Sequence, residues 1–161
     1  MFISKKENRR LFFNFTNHEL NNDQLEELKR WEIDEVVEMP QELKKAWGEV
    51  TPCNVKYLVE YIVDFVKRES THLIQCPEGH NEFDETNPYA MIEIYSECFF
   101  LIQGHFGATV SLVEKLNMFG TPMYAHSERL SIENPDGSIT KQFKHQGFYR
   151  YYDNTKIRRV Y

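Results

Sequence analysis

Cysteine, glycine, proline and surplus positive charge are all scarce in this chain, and each shortage removes a class of protein. Only Cys53, Cys76 and Cys98 occur among 161 residues, an odd and sparse set that cannot form a disulfide framework. No leader pattern opens the chain, so reduced thiols in a cytoplasmic protein are the expectation. Lys and Arg total 19 against 25 Asp and Glu, a formal charge of -6. A protein that tracks many phosphates normally presents a basic face, so a general binder of double-stranded nucleic acid is not expected. No apolar run nears the ~18 residues that span a bilayer, which removes a membrane partner.

What remains is rich in core material. Hydrophobic residues make up 41% and aromatics 14%, with 12 Phe and 9 Tyr, a composition of folded proteins. The length suits one domain over 1–161, with room for an insertion.

Leu11-Phe12-Phe13-Asn14-Phe15 reads as a short aromatic strand that ends in the polar loop Thr16-Asn17-His18. Asn22 and Asp23 can cap a helix carrying Leu25, Leu28 and Trp31, and Glu35 to Met39 reads as a second strand closed by Pro40. A helix over Val55 to Arg68 carries Leu58, Tyr61, Ile62, Phe65 and Val66 at helical spacing, with Leu73-Ile74-Gln75 as a following strand. The segment from Cys76 to Glu97, with Pro77, Gly79, Pro88 and six acidic residues, reads as an excursion holding a short helix around Tyr89 to Tyr95. Past residue 97, the run Phe99-Phe100-Leu101-Ile102 gives way to Gln103-Gly104-His105-Phe106-Gly107-Ala108-Thr109 and then to a helix through Val110, Leu112, Val113, Leu116 and Phe119 that Gly120 can end. Pro122 leads into Met123-Tyr124-Ala125, Asn134-Pro135-Asp136-Gly137 is a strong turn, and the alternation on either side predicts a terminal β-hairpin. The fold class expected is α/β, a mainly parallel Rossmann-like sheet flanked by helices with a C-terminal β-hairpin.

Residues 99–110 have the shape of a phosphate-holding strand, loop and helix start. Gly104 and Gly107 permit a tight turn and close approach, and the open N–H groups of a helix's first turn attract an anion. A lone Gly-x-x-Gly is weak alone. If the central strands are parallel, their carboxyl ends share one edge, where α/β sheets bind ligands. Three polar loops would then converge: Thr16-Asn17-His18, Gln103 to Thr109, and His126-Ser127-Glu128-Arg129.

In chain order, Leu11 to Leu20 followed by Gln24, Pro40-Gln41-Glu42-Leu43 with Trp47, Leu101-Ile102-Gln103-Gly104-x-Phe106-Gly107-Ala108-Thr109, and Met123-Tyr124-Ala125 with Arg129 resemble the small CRISPR-associated ring nucleases over most of the chain. The resemblance implies a compact domain related to the CRISPR-associated Rossmann-fold sensor (CARF) domains, dimeric, that binds cyclic oligoadenylate, cyclic tetra-adenylate foremost, and opens the ring. That would switch off the antiviral signalling of a type III CRISPR system. A module that senses or sequesters the ring without cutting it is the alternative, and a purely structural interaction protein is a third. Two departures stand out: the segment around 76–97, which looks inserted, and His105, where an acidic residue is expected.

Ring opening without metal needs alignment of a ribose 2′-hydroxyl with the scissile phosphorus and stabilisation of the charge that develops. On this reading the N–H groups of Gly104, His105, Phe106, Gly107, Ala108 and Thr109, with the Thr109 hydroxyl, hold phosphate. Arg129 offers a bidentate cation, and His18 is the first candidate general acid or base. Asn17 and Gln103 suit a ribose or base edge, and Thr16 and Ser127 can donate to phosphate. Plainer roles compete: His18 as a cap of the helix near Asn22, Arg129 as a surface hairpin residue, His105 as a solvent-facing residue, Thr109 as a satisfier of the first helical turn. His72, Cys76 and His80 repeat every four residues, but Pro77 and Gly79 break the helix that would align them, so neither a metal nor any other cofactor is expected. Phe148-Tyr149-Arg150-Tyr151-Tyr152 reads as core or interface first, and as a stacking surface for adenines second.

Overall fold

A computed structural model describes residues 9–75 and 91–158. Its frame is a five-stranded sheet built on β1 (Arg10–Phe15), β2 (Glu35–Glu38), β5 (Glu97–Ile102), β6 (Gly120–Glu133) and β7 (Ile139–Arg150), in the order β2-β1-β5-β6-β7. The first four run parallel, and β7 returns antiparallel to β6. The chain is therefore α/β with a mostly parallel sheet and a C-terminal antiparallel hairpin, a layout consistent with a Rossmann-like arrangement.

The two central strands are apolar on nearly every residue because both faces are covered. On one face, Leu11, Phe13, Phe15, Phe100 and Ile102 pack against α2 (Gln41–Gly48), α3 (Val55–Ser70) and α4 (Phe106–Leu116). On the other, Phe12, Phe99, Leu101, Met123 and Phe148 pack against Leu28 of α1 (Asn22–Arg30) and the adjoining Trp31. Edge contacts dominate there, with the Phe148 ring 5.4 Å from Phe12 and 5.3 Å from Trp31, geometries that aromatic quadrupoles favour.

Several sequence expectations are corrected. Helix α1 is capped by Asn21, whose side chain accepts from Gln24 N at 2.9 Å while the Gln24 side chain accepts from Asn21 N at 3.0 Å. This reciprocal capping box leaves His18 free of the capping role. Residues 41–48 form α2, which starts directly after Pro40. The strand after α3, β3 (Thr71–Gln75), does not join the main sheet. It pairs antiparallel with β4 (Met91–Tyr95), which takes the place of the short helix expected there. Main-sheet pairing resumes at Glu97, so the excursion between α3 and β5 is framed by a two-stranded ribbon. The sequence-based metal series His72, Cys76, His80 lies outside the described residues at its last two positions.

The largest correction concerns His126 to Arg129. They form no loop: β6 runs unbroken from Gly120 to Glu133 apart from a register shift between His126 and Ser127. His126 pairs with Gly147 and Ser127 with His145, so Gln146 is the extra residue of a β-bulge. Since β6 leaves its last parallel partner at Met123 opposite Leu101, the rest of the hairpin projects past the carboxyl edge of the parallel strands as a free two-stranded arm. Its root is fastened to α1, where the buried His145 Nε2 lies 2.9 Å from Glu27 Oε2. Its tip is closed by Gly137 at φ +84°, with Asp136 Oδ1 accepting from Ser138 N and Oγ at 2.9 and 2.6 Å. Those two donors hold the exposed Asp136 carboxyl below its usual range.

Candidate functional site

Two of the three expected loops meet at the carboxyl edge. After β1, the buried Asn14 anchors the first. Its Nδ2 donates to the carbonyl of His18 at 2.9 Å and to the Glu38 carboxylate at 3.1 and 3.3 Å, and its Oδ1 accepts from Thr16 Oγ1 at 2.7 Å. Thr16 Oγ1 in turn accepts from the His18 N–H at 3.1 Å. Asn14 and Thr16 are 1% and 4% exposed, so their polar groups are spent on the loop itself. Asn17 and His18 are carried to the exposed side by this scaffold.

The second loop is locked to the first through α2. Trp47 Nε1 donates to the carbonyl of Gln103 at 3.1 Å, and the Gln103 N–H donates to the carbonyl of Phe15 at 3.2 Å. Gly104 sits flat on the indole, where a Cβ would fall 2.7 Å from Trp47 Nε1 and Cε2. At the same C-terminal end of α2, Asn17 lies against Gly48, the residue after Trp47. Gln103 also reaches sideways, its amide bracketing the backbone of Ala125 at 3.4 and 3.5 Å. The loop is thereby tied to β1, α2 and β6 at once.

The N-terminus of α4 distributes its donors in a specific way. His105 is the N-cap, with Nδ1 accepting from Ala108 N at 3.2 Å, and Thr109 N donates to the His105 carbonyl at 2.8 Å. These bonds use the N–H groups of Ala108 and Thr109. Phe106 and Gly107 then carry the first-turn N–H groups with no acceptor among the described hydrogen bonds. With Nδ1 accepting, the neutral His105 ring holds its proton on Nε2 and can donate it outward. Gly107 is permissive for this cap, since a Cβ there would sit 3.2 Å from His105 Cε1. The hydroxyl of Thr109 is shut away from solvent and has no partner among the described residues.

The third set is placed apart. Ser127 and Arg129 ride on the arm beyond the bulge, both exposed, and the Arg129 guanidinium lies over the Phe143 ring at 5.6 Å from its centroid. From Ala125, opposite Gln103, to Arg129 is four strand residues, about 13 Å at the usual rise.

Sequence reasoning gave no role to Asn14 or Trp47, although a single polar residue inside Leu11 to Phe15 was a visible signal. It weighed Tyr149 and Tyr151 only within the aromatic tail and did not join them with Tyr124 and His126 into a row of rings on the α4 side of β6 and β7. Tyr124 stacks on Tyr149 at 5.8 Å, His126 meets Tyr149 edge-on at 5.9 Å, and Tyr124 lies 5.0 Å from Tyr151. The Tyr151 hydroxyl donates to the Ile102 carbonyl, and burial, followed by the neighbouring Tyr124, pushes its pKa up to about 12. This row begins beside the Gln103–Ala125 clamp. A separate cavity of about 450 Å³ lies toward the other end of α4, lined by Val113, Asn117, Pro122, Arg150 and Tyr151 among others. Arg150, Tyr151 and Tyr152 of the aromatic tail line it, and none of the candidate catalytic or phosphate-binding residues does.

Among the described residues no group of three or more His, Cys, Asp or Glu could hold a metal ion. No described helix is long and apolar enough to cross a membrane. Comparison with curated proteins and with solved structures finds no match. A family model does match, over residues 10–149, from the first strand of the sheet almost to the end of the last. The chain belongs to the uncharacterized protein MJ1673 family.

Proposed function

We propose that the protein binds a cyclic oligoadenylate across the carboxyl edge of its parallel sheet and opens the ring, as a CARF-like ring nuclease. One observation carries this reading: Trp47 and Gln103 hold the His18 loop and the open start of α4 side by side, at the edge where α/β sheets take ligands. The edge is open and flanked by the Tyr124, His126 and Tyr149 rings, which suits a flat ligand of several nucleotides. The resemblance of the quoted motifs to ring nucleases supplies the identity of the ligand.

Each residue then has a part. The N–H groups of Phe106 and Gly107 and the Nε2–H of His105 receive a phosphate, stabilising the charge that grows on its oxygens. His18, whose backbone is pinned by Asn14 and Thr16, stands free to take the proton of the ribose 2′-hydroxyl. The 2′-oxygen forms a bond to phosphorus as the bond to the 5′-oxygen breaks. That 5′-oxygen gains a proton from solvent, leaving a 2′,3′-cyclic phosphate and a free 5′-hydroxyl, and His18 returns its proton to solvent. Asn17 and Gln103 border the ribose. Ser127 and Arg129, carried on the arm, are given no step in the reaction, and Arg129 adds positive potential near the edge. A ring with two-fold symmetry is matched by a two-fold pair of protein chains.

The test is incubation with cyclic tetra-adenylate and cyclic hexa-adenylate in EDTA, with products resolved by chromatography. Linear products ending in a cyclic phosphate are expected from one of the rings. His18→Ala is expected to slow single-turnover cleavage ~100-fold or more while affinity stays within a few-fold. Tight binding with no linear product would make the protein a sensor or a sponge. Absence of binding in calorimetry would end the reading altogether.

A further inference from the structure

Beyond β7 the chain turns and doubles back along the outer edge of that strand. Arg150 N donates to the Thr155 carbonyl at 2.9 Å, Ile157 N donates to the Phe148 carbonyl at 2.8 Å, and Tyr149 and Lys156 face each other in an antiparallel bridge. The Tyr124 hydroxyl donates to Asn154 Oδ1 at 2.8 Å, which ties the returning segment to β6 as well. Ile157 is buried beside Phe148 and Trp31 on the α1 side, so Lys156 before it points to the opposite face, where the Tyr149 ring lies. A glycine then sets the path of the lysine. Gly147, at φ +149°, is buried, and a Cβ there would fall 2.5 Å from Lys156 Cε and 3.3 Å from Nζ. The Lys156 stem therefore occupies the space that any other side chain at 147 would fill.

Gly147 is the cross-strand partner of His126, whose ring meets Tyr149 edge-on. Lys156 thus brings an exposed ammonium to the row of Tyr124, Tyr149 and His126 rings, and among the described residues it belongs to no ion pair. We infer that Lys156 holds a second phosphate of the ligand, beside a nucleotide that lies along the ring row. This rests on the cyclic oligoadenylate reading and adds to it a ligand gripped at two phosphates. Gly147 on β7 stands two strand spacings from β5, about 10 Å from where the loop to α4 leaves the sheet. Lys156 and the N–H groups of Phe106 and Gly107 therefore take different phosphates. Rings that receive bases and a cation that receives the backbone are the general means of holding a single strand, and lysine serves phosphate as a compact point charge.

Binding is read as the half-saturating protein concentration in single-turnover cleavage of cyclic tetra-adenylate and cyclic hexa-adenylate, and by calorimetry where a ring is bound and not cut. Lys156→Met keeps the stem over Gly147 and removes the charge. It should melt within about 2 °C of native, as exposed substitutions do, while affinity for the ring falls roughly tenfold and the plateau cleavage rate stays within about threefold. The slope of log affinity against log salt should drop by about 0.7–1, the share of one phosphate. Lys156→Arg should recover most of the loss. Lys115→Met, in the last turn of α4, changes the net charge equally and should leave affinity within about twofold of native. Native affinity and salt slope in Lys156→Met would overturn the second contact and leave the cyclic oligoadenylate reading standing. An equal loss in Lys115→Met would overturn it too, since the general field then accounts for the effect. A native chain that binds neither ring removes that reading and this contact together.

Discussion

Replacing Gly104 by alanine tests the centre of the proposed site with a single methyl group. The added Cβ would fall 2.7 Å from both Nε1 and Cε2 of Trp47 and 2.8 Å from Cζ2, about an ångström inside ordinary contact. The indole has nowhere to retreat, since Trp47 is 2% exposed and packed in the core with Leu43, Phe15 and Ile102. Overfilling a packed site of this kind costs about 1–3 kcal/mol. If the clash also breaks the bond from Trp47 Nε1 to the Gln103 carbonyl, about 1 kcal/mol more is lost. A total of roughly 2–4 kcal/mol lowers the melting temperature of a chain this size by about 5–15 °C. Gly137→Ala is the control. Nothing lies within 4 Å of its added Cβ, and only the φ of +84° resists it, worth about 1–2 kcal/mol. Thermal melting followed by tryptophan fluorescence reads both. A Gly104→Ala protein that melts with the native one, or loses no more than Gly137→Ala, would show that Trp47 does not wedge the loop, and the proposed site would lose its floor.

Two further outcomes follow from groups under the same edge and in the core. Asn14→Ala removes the acceptor of Thr16 Oγ1 and the donor to the His18 carbonyl and Glu38. It should cost about 1–3 kcal/mol in urea unfolding and speed hydrogen exchange at the His18 amide; native-like exchange there would show that the loop is held by something else. Burial pushes the Cys98 thiol up to about 11, against a smaller opposing effect of the Ser70 hydrogen bond and with a small push from Glu97. Between about pH 9 and pH 11 the unfolded thiol has lost its proton while the folded one keeps it, so stability present below pH 9 falls as pH rises. The loss is complete past pH 11, at about 2–3 kcal/mol. Tyr151, raised to about 12, pulls the same way at the top of that range. Urea midpoints from pH 8 to 11 in native and Cys98→Ala proteins check it, and equal slopes in the two would refute the assignment to Cys98.

What could be read in the chain and what could not divide along physical lines. Phe99 to Ile102, Gly104, Gly107 and the helix after them were legible because each has one inexpensive conformation: a buried strand, a tight turn, an amphipathic helix. Asn134-Pro135-Asp136-Gly137 was legible for the same reason. Strand β3 was seen as a strand, but whether it pairs in the main sheet or with β4 depends on contacts between distant segments, which local pattern does not encode. Helix α2 was overlooked because eight residues give little more than two turns of periodicity. The hairpin was legible from the alternation on either side of its Asn134-Pro135-Asp136-Gly137 turn, but the start of its first strand was not. His126-Ser127-Glu128-Arg129 is exposed and polar and read as a loop, because a ribbon wet on both sides has no core face to mark it. That error moved Arg129 from the arm into the crevice.

The candidate site shows the limit of reading chemistry from residue type. Thr16, Asn14, Ala108, Thr109 and His105 all looked available to a ligand or were passed over, and the structure spends most of their polar groups on their own backbone. Thr16 holds the turn, Asn14 joins that turn to Glu38, and His105 Nδ1 takes one first-turn N–H for itself. Subtracting those bonds leaves a short set at one edge: the His18 imidazole, the His105 Nε2, and the N–H groups of Phe106 and Gly107. This remainder is what a phosphodiester needs, one group to move a proton and several donors to receive growing negative charge. It is reached only after every internal hydrogen bond has been assigned. For the same reason the substitution at His105, where the resemblance leads one to expect an acid, has a structural consequence. An aspartate side chain could cap α4 equally well but would place negative charge beside the incoming phosphate, whereas the imidazole caps through one nitrogen and donates through the other. His105→Asp should therefore keep the fold and α4 while weakening binding of a cyclic oligoadenylate, a comparison that separates the cap from the donor in one variant.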